Sequence, residues 1–188
     1  MSTSTATVPP LRDYQLNGVS FLSERTHALL ADQMGLGKTV QAITALRVVR
    51  RQTPGARALI VAPASLLRNW EEELARWAPG MAWRRVAGTD ADRRALWGMP
   101  VPILVASYEQ VRRDTDVIRR QARFETVVLD EAQRIKNPSS STSLACRVLP
   151  RERSWALTGT PLENCVEDMV SVFGFVMPGL VSRGMNAA

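Results

Sequence analysis

Five near-continuous apolar runs of strand length limit most strongly how this chain can fold. They are HALLA (27–31), ALIVA (58–62), PILVA (102–106), TVVLD (126–130) and SWALT (154–158). A strand with one wet face alternates apolar and polar residues, and a strand without that alternation is covered on both faces. Between the runs, apolar residues recur at helical spacing. Val40, Ile43 and Leu46 mark one helix, and Leu67, Trp70, Leu74 and Trp77 mark another. SYEQ (107–110) has the Ser-x-x-Gln form of a capping box, so a helix is expected to start at Ser107. Leu162, Val166, Met169, Val170 and Phe173 predict a last helix that closes near Pro178-Gly179. This alternation predicts an α/β domain, with a mainly parallel β-sheet and helices on both faces. The pairing order of the strands is not readable from it.

Ligands of such sheets bind at the carboxyl ends of the strands. Three of those ends carry chemistry here. The first is ADQMGLGKTV (31–40). Gly35 and Gly37 free backbone N–H groups to face an anion, and the helix starting near Lys38 adds its positive end. Lysine supplies a compact charge that reaches between phosphate oxygens, and Thr39 supplies a hydroxyl for Mg²⁺. Of the 24 basic residues, all but Lys38 and Lys136 are arginine, so lysine at this place is a selective use. The general phosphate loop is G-x-x-x-x-G-K-[ST], and Asp32 stands here in place of its first glycine. The second end is VVLDEAQ (127–133), where Asp130 can hold Mg²⁺ and Glu131 can orient or deprotonate water. The third is ALTGTPLEN (156–164), a polar turn after a buried strand, which simple turn chemistry also explains.

Composition narrows the remaining choices. The chain has 188 residues, most simply one domain, and 45% of them are apolar. No apolar run reaches the roughly 18 residues of a membrane span. MSTSTATVPP (1–10) lacks the basic and apolar regions of a secretory signal and reads as a disordered leader. Cys146 and Cys165 have no metal-site spacing, and lone His27 reads as structural, so a reducing cytoplasm is expected. A net charge of +6 permits a polyanionic partner without requiring one. The clusters Arg84-Arg85, Arg93-Arg94 and Arg112-Arg113 through Arg123 read first as solvated helix faces.

Taken in order, the motifs resemble the Swi/Snf-type DNA-dependent ATPases of helicase superfamily two. LRDYQLNGVSFL (11–22) resembles that family's Q-type motif. DQMGLGKT (32–39) resembles motif I, where aspartate is usual at the first position. LIVAPASLLRNWEEEL (59–74) and ILVASYEQVRRD (103–114) resemble motifs Ia and Ib. VVLDEAQRIKN (127–137) resembles motif II in its bacterial-looking DEAQ form, and ALTGTPLEN (156–164) resembles motif III. The resemblance implies a RecA-like P-loop NTPase domain over residues 11–180, with ATP and Mg²⁺ as cofactors and double-stranded DNA as partner. It implies that Gln15 contacts adenine, and that Asp32, Gly35, Leu36, Gly37, Lys38 and Thr39 surround the phosphates. It assigns Mg²⁺ to Thr39 and Asp130, and catalysis to Lys38, Asp130 and Glu131. Ser65, Asn69, Ser107 and Tyr108 fall where the family's first lobe meets DNA. Gln133, Thr158, Gly159 and Thr160 fall where nucleotide and DNA are coupled, with Lys136 beside motif II.

One departure matters for activity. The family's engine has two RecA-like lobes, and the resemblance covers the first, followed by a short tail over 181–188. The second lobe and its arginine fingers are not matched, which predicts little turnover unless that lobe is supplied in trans. Cys165 also stands where the family usually has a basic residue. Three rivals remain: a noncatalytic nucleotide- or DNA-binding module, a small P-loop phosphotransferase with its own lid arginine, and a strand-separating helicase.

Overall fold

Every residue of ALIVA is buried, and its side chains divide by pleat. Ala58, Ile60 and Ala62 enter one apolar cluster, and Leu59 and Val61 enter a second on the opposite side. That division is the physical reason the run has no polar positions: both faces of the strand are covered. The computed structural model describes residues 8–159 and 166–179, without the side chains of 166–168.

Six strands form the sheet: β1 (His27–Leu30), β2 (Ala58–Ala62), β3 (Trp83–Arg85), β4 (Ile103–Ser107), β5 (Phe124–Leu129) and β6 (Arg151–Leu157). Their order is β1-β6-β5-β2-β4-β3, and every pairing is parallel. Among the described residues, seven α-helices accompany them: α1 (Asp13–Glu24), α2 (Lys38–Gln52), α3 (Leu67–Trp77), α4 (Asp90–Gly98), α5 (Tyr108–Gln121), α6 (Ser141–Arg147) and α7 (Val166–Val176). Apolar residues of α1, α2 and α3 cover one face of the sheet, and those of α4, α5, α6 and α7 cover the other. The fold is thus the expected α/β sandwich around a parallel sheet. Among the described residues, no helix is long and apolar enough to cross a membrane.

Register aligns the strand ends. Leu30 pairs with Leu157, and both Leu29 of β1 and Leu129 of β5 pair with Ala156. The segments after β1, β5 and β6 therefore emerge side by side at one edge. Two backbone bonds carry the register past the strands, from Thr158 N–H to Leu30 O at 3.1 Å and from Asp130 N–H to Val61 O at 2.8 Å.

Three differences from the sequence expectations have local causes. Arg84 and Arg85 are exposed on β3, an edge strand, and do not lie on a helix. Arg93 is 4% exposed, so it is no part of a solvated face. Its guanidinium donates to both oxygens of Asp114, at 2.8 and 3.0 Å, and to Asp90. Val8, in the stretch expected to be a leader, packs against the core.

Candidate functional site

The loop between β1 and α2 has two residues in the left-handed region. Gly35 has φ +84° and Gly37 has φ +74°. A Cβ at Gly35 would meet nothing within 4 Å, so glycine is needed there for backbone freedom alone. At Gly37 space matters too, because a Cβ would lie 2.6 Å from Nε2 of Gln15. Gln15 is the N3 residue of α1 and accepts the Arg12 N–H at 3.0 Å, so α1 delivers its amide against the loop. Gly37 caps α2, and Lys38 is the first helical residue.

Lys38 is 9% exposed, and its Nζ donates to the carbonyls of Asp32 at 2.7 Å and Gln33 at 3.0 Å. The ammonium is held at the loop by weak ligands that an anion can replace. Gly159 closes that side, where a Cβ would lie 2.7 Å from Met34 Cγ and 3.4 Å from Lys38 Nζ. Beneath the loop, fully buried Gln41 donates from Nε2 to Asp32 Oδ2 at 3.2 Å and to Leu36 O at 3.1 Å. One amide thus ties the start of the loop to its middle.

Two carboxylates leave the end of β5 in different directions. Glu131 has φ +51°, the one non-glycine residue with positive φ among those described. Such a conformation costs on the order of 1–3 kcal/mol and clusters at functional sites. It turns the chain so that Asp130 stays buried while Glu131 is half-exposed. Asp130 Oδ2 accepts the Trp70 indole N–H at 2.8 Å, and Oδ1 accepts the Glu131 N–H at 3.0 Å. Burial raises the Asp130 pKa above the usual carboxylate range, the Trp70 bond opposes that rise, and the Glu131 charge adds to it. Glu131 Oε2 accepts from Gln133 Nε2 at 2.6 Å, and Gln133 Oε1 accepts from the Thr158 hydroxyl at 3.0 Å. A hydrogen-bonded path therefore joins the segment after β5 to the segment after β6.

These parts meet in one cavity of about 260 Å³, lined by Met34, Gly35, Gly37, Lys38, Thr39, Val40, Leu66, Asn69, Glu73, Asp130 and Glu131. It offers backbone N–H groups, a cation, a hydroxyl and carboxylates. This combination suits a polyphosphate accompanied by a hard cation. Thr39 and Asp130 are both oxygen donors of the kind Mg²⁺ prefers. Among the described residues, no three or more His, Cys, Asp or Glu side chains are grouped to hold a metal. Phosphate and water would have to complete the shell of such an ion. A larger open depression of about 720 Å³ beside α4 has Arg94 and Gln121 as its polar side chains and no carboxylate.

Other expected residues fall differently. Ser65 is exposed, as is Lys136, which follows the 3-10 turn Ala132–Ile135. Asn69 lines this cavity. Ser107 and Tyr108, expected at a DNA face, are 5% and 3% exposed. Ser107 spends its hydroxyl on the Gln110 N–H as the cap of α5, and Tyr108 donates its hydroxyl to Asp130 O at 2.7 Å. Both stand inside the domain, and Tyr108 supports Asp130 from behind. Thr160 lies outside the described residues. Sequence reasoning missed Trp70 and Gln41 as site residues. Trp70 reads there as one more member of an apolar helical stripe, and only its indole N–H could have raised the question; Gln41 lies between the apolar positions Val40 and Ile43 and carries no motif signal.

Comparison with known proteins points to one family. The SNF2-related domain family matches residues 14–185. An uncharacterized ATP-dependent helicase of Mycoplasma pneumoniae is 38% identical over 94% of this chain. The ISWI chromatin-remodeling complex ATPase ISW1 of Saccharomyces cerevisiae is 34% identical, again over 94%. The chain spans 18% and 16% of the lengths of these two relatives. The SWI2/SNF2 ATPase core of Sulfolobus solfataricus, solved in complex with dsDNA, superposes with a TM-score of 0.84 at 34% identity. That match covers 93% of this chain and 37% of the solved one.

Proposed function

The chain belongs to the SNF2-related domain family, and from that premise we propose that it is the ATP-binding lobe of a duplex-DNA-dependent ATPase. The observation that carries the reading is the convergence of Lys38, Thr39, Asp130 and Glu131 on one cavity at the carboxyl edge of the sheet. Residues 11–180 make up this RecA-like lobe, between a leader and a tail. Nucleotide phosphates take the place of the Asp32 and Gln33 carbonyls at Lys38 and accept N–H bonds from the loop 35–39. Gln15, set against Gly37, faces the base. Thr39 and Asp130 would hold Mg²⁺, which would neutralise phosphate charge. Glu131 orients the attacking water, and its bond to Gln133 fixes the carboxylate. The Gln133–Thr158 bond then ties that carboxylate to the segment after β6, the route by which DNA engagement reaches the nucleotide. Exposed Ser65 and the arginine-rich surface serve the DNA backbone. A buried, free Cys146 suits the cytoplasm.

Among the described residues, no arginine lines the cavity. An arginine finger is worth about 10³–10⁵ in rate, or roughly 4–7 kcal/mol of barrier. The 188-residue chain alone is therefore expected to bind ATP and turn it over very slowly, and a second lobe bearing that arginine completes the engine. The same observation favours a second reading, a nucleotide-binding module without turnover. Phosphate release, measured with saturating duplex DNA and a second lobe added in trans, separates the two. DNA-stimulated hydrolysis that Glu131→Gln abolishes supports the ATPase. Turnover near 1 s⁻¹ by the chain alone, the low end for enzymes, contradicts the need for a second lobe.

A further inference from the structure

Asp130 is pinned at four atoms. Its N–H donates to Val61 O at 2.8 Å, and its carbonyl accepts from Tyr108 at 2.7 Å. Those two bonds fix the backbone. Oδ1 accepts from the next residue in the chain, at 3.0 Å. Among the described residues, Trp70 is the one side chain that holds the carboxylate itself, across 60 residues of sequence and at 2.8 Å. Trp70 is fully buried and Asp130 is 6% exposed, so water competes poorly for this bond. An indole N–H is a donor only and cannot itself ligate a cation.

Filling the core does not explain the arrangement. Trp77, on the same helical stripe, has a buried indole nitrogen with no partner. An indole in this stripe is thus tolerated without a carboxylate. Trp97 makes the matching bond to Asp114 Oδ2 at 2.9 Å, in a buried ion-pair cluster that lies off the cavity. The two Trp–Asp pairs share their chemistry, and one of them ends in the nucleotide site. Asn69, adjacent to Trp70, and Leu66, the cap of α3, line the cavity. A shift of α3 therefore moves the cavity wall and the support of Asp130 together.

We propose that Trp70 is a positioning residue of the nucleotide site. Its indole N–H sets the rotamer of Asp130 and so presents the carboxylate to the Mg²⁺ that accompanies the nucleotide. The inference rests on the nucleotide-binding reading above. Trp70→Phe removes the N–H and keeps the ring, and Trp97→Phe is the matched control. Calorimetry would measure ATP affinity with Mg²⁺ and with chelator. In Trp70→Phe the chelator affinity should stay within about twofold, while the gain from Mg²⁺ should shrink by about tenfold. That is the size expected for loss of one hydrogen bond to a charged group. Trp97→Phe should keep the full gain.

A second readout needs no change at residue 70. The chain has five tryptophans, and its indole ¹H–¹⁵N signals can be assigned by elimination with Phe variants at the other four. The Trp70 signal should move on adding Mg²⁺ to the nucleotide-bound chain, and the Trp97 signal should not. An undiminished Mg²⁺ gain in Trp70→Phe, or a Trp70 signal indifferent to Mg²⁺, overturns the proposal. A wild-type chain that binds no nucleotide at all overturns the reading beneath it as well.

Discussion

Gly18→Ala should destabilise this protein, against the usual effect of that change in a helix. Gly18 sits mid-way along α1, where alanine normally gains about 0.5–1 kcal/mol. Here the new Cβ would lie 1.7 Å from Gln41 Oε1 and 2.8 Å from Gln41 Cδ. That amide is fully buried, and it cannot withdraw without breaking both Nε2 bonds, to Asp32 and to Leu36 O. A neutral bond of this kind is worth about 1 kcal/mol, and one to a carboxylate about 1.5–3 kcal/mol. Set against the helix gain, the net loss is about 2 kcal/mol. For a domain of this size that is a fall of roughly 4–8 °C in Tm. Thermal unfolding of wild type, Gly18→Ala, Gln41→Ala and the double variant measures it. In the Gln41→Ala background the clash is gone, and Gly18→Ala should be neutral or stabilising. A rise in Tm for Gly18→Ala in the wild-type background would refute the reasoning, as would an equal effect in both backgrounds.

Asp114→Ala leaves the buried Arg93 guanidinium without its main partner and should cost about 3–5 kcal/mol by urea denaturation. Burial alone would raise the Asp114 pKa, but bonds from Arg93 and Trp97 outweigh it and hold the carboxyl below its usual value. That stabilisation is full above the unfolded pKa of about 3.9 and is lost as pH falls through the lower folded value. Wild type should therefore lose stability below about pH 4, and Asp114→Asn should show a flatter acid limb. Burial pushes the Cys146 thiol up to about 12, so peptide-resolved alkylation at pH 8 should label it only after unfolding. Duplex binding by the chain should weaken with salt at a log–log slope of about −0.9 per phosphate neutralised, and a flat slope would contradict backbone contacts.

Five of the six strands are legible in sequence because burial on both faces leaves an uninterrupted apolar run. β3 is not, since it is a three-residue edge strand with one half-buried tryptophan and two exposed arginines. Charge on an edge is a common device, but it erases the strand signal. α4 hides for a related reason: its capping box uses Asp92 at the third position, in a stretch read as a basic cluster. α6 has only seven residues, mostly small. In the site, Lys38, Thr39, Asp130 and Glu131 are readable because their chemistry is contiguous in the chain. Trp70 and Gln41 act through partners that only folding supplies. The capping role of Ser107 was legible from Ser-x-x-Gln, whereas its burial, and that of Tyr108, follows from β4 and α5 packing inside the domain.

The most direct test is a calorimetric titration of ATP with Mg²⁺ into the wild-type chain and into Lys38→Ala. Lys38 donates to two loop carbonyls, so thermal unfolding of Lys38→Ala accompanies the titration and shows that the variant is folded. Removing its contact to phosphate should cost about 1.5–3 kcal/mol, on the order of a tenfold to hundredfold weaker Kd. One site per chain in the wild type, weakened to that extent in Lys38→Ala, is the predicted result. Equal affinity in the two proteins, or no binding to either, would contradict the assignment of the 35–39 loop as the phosphate site.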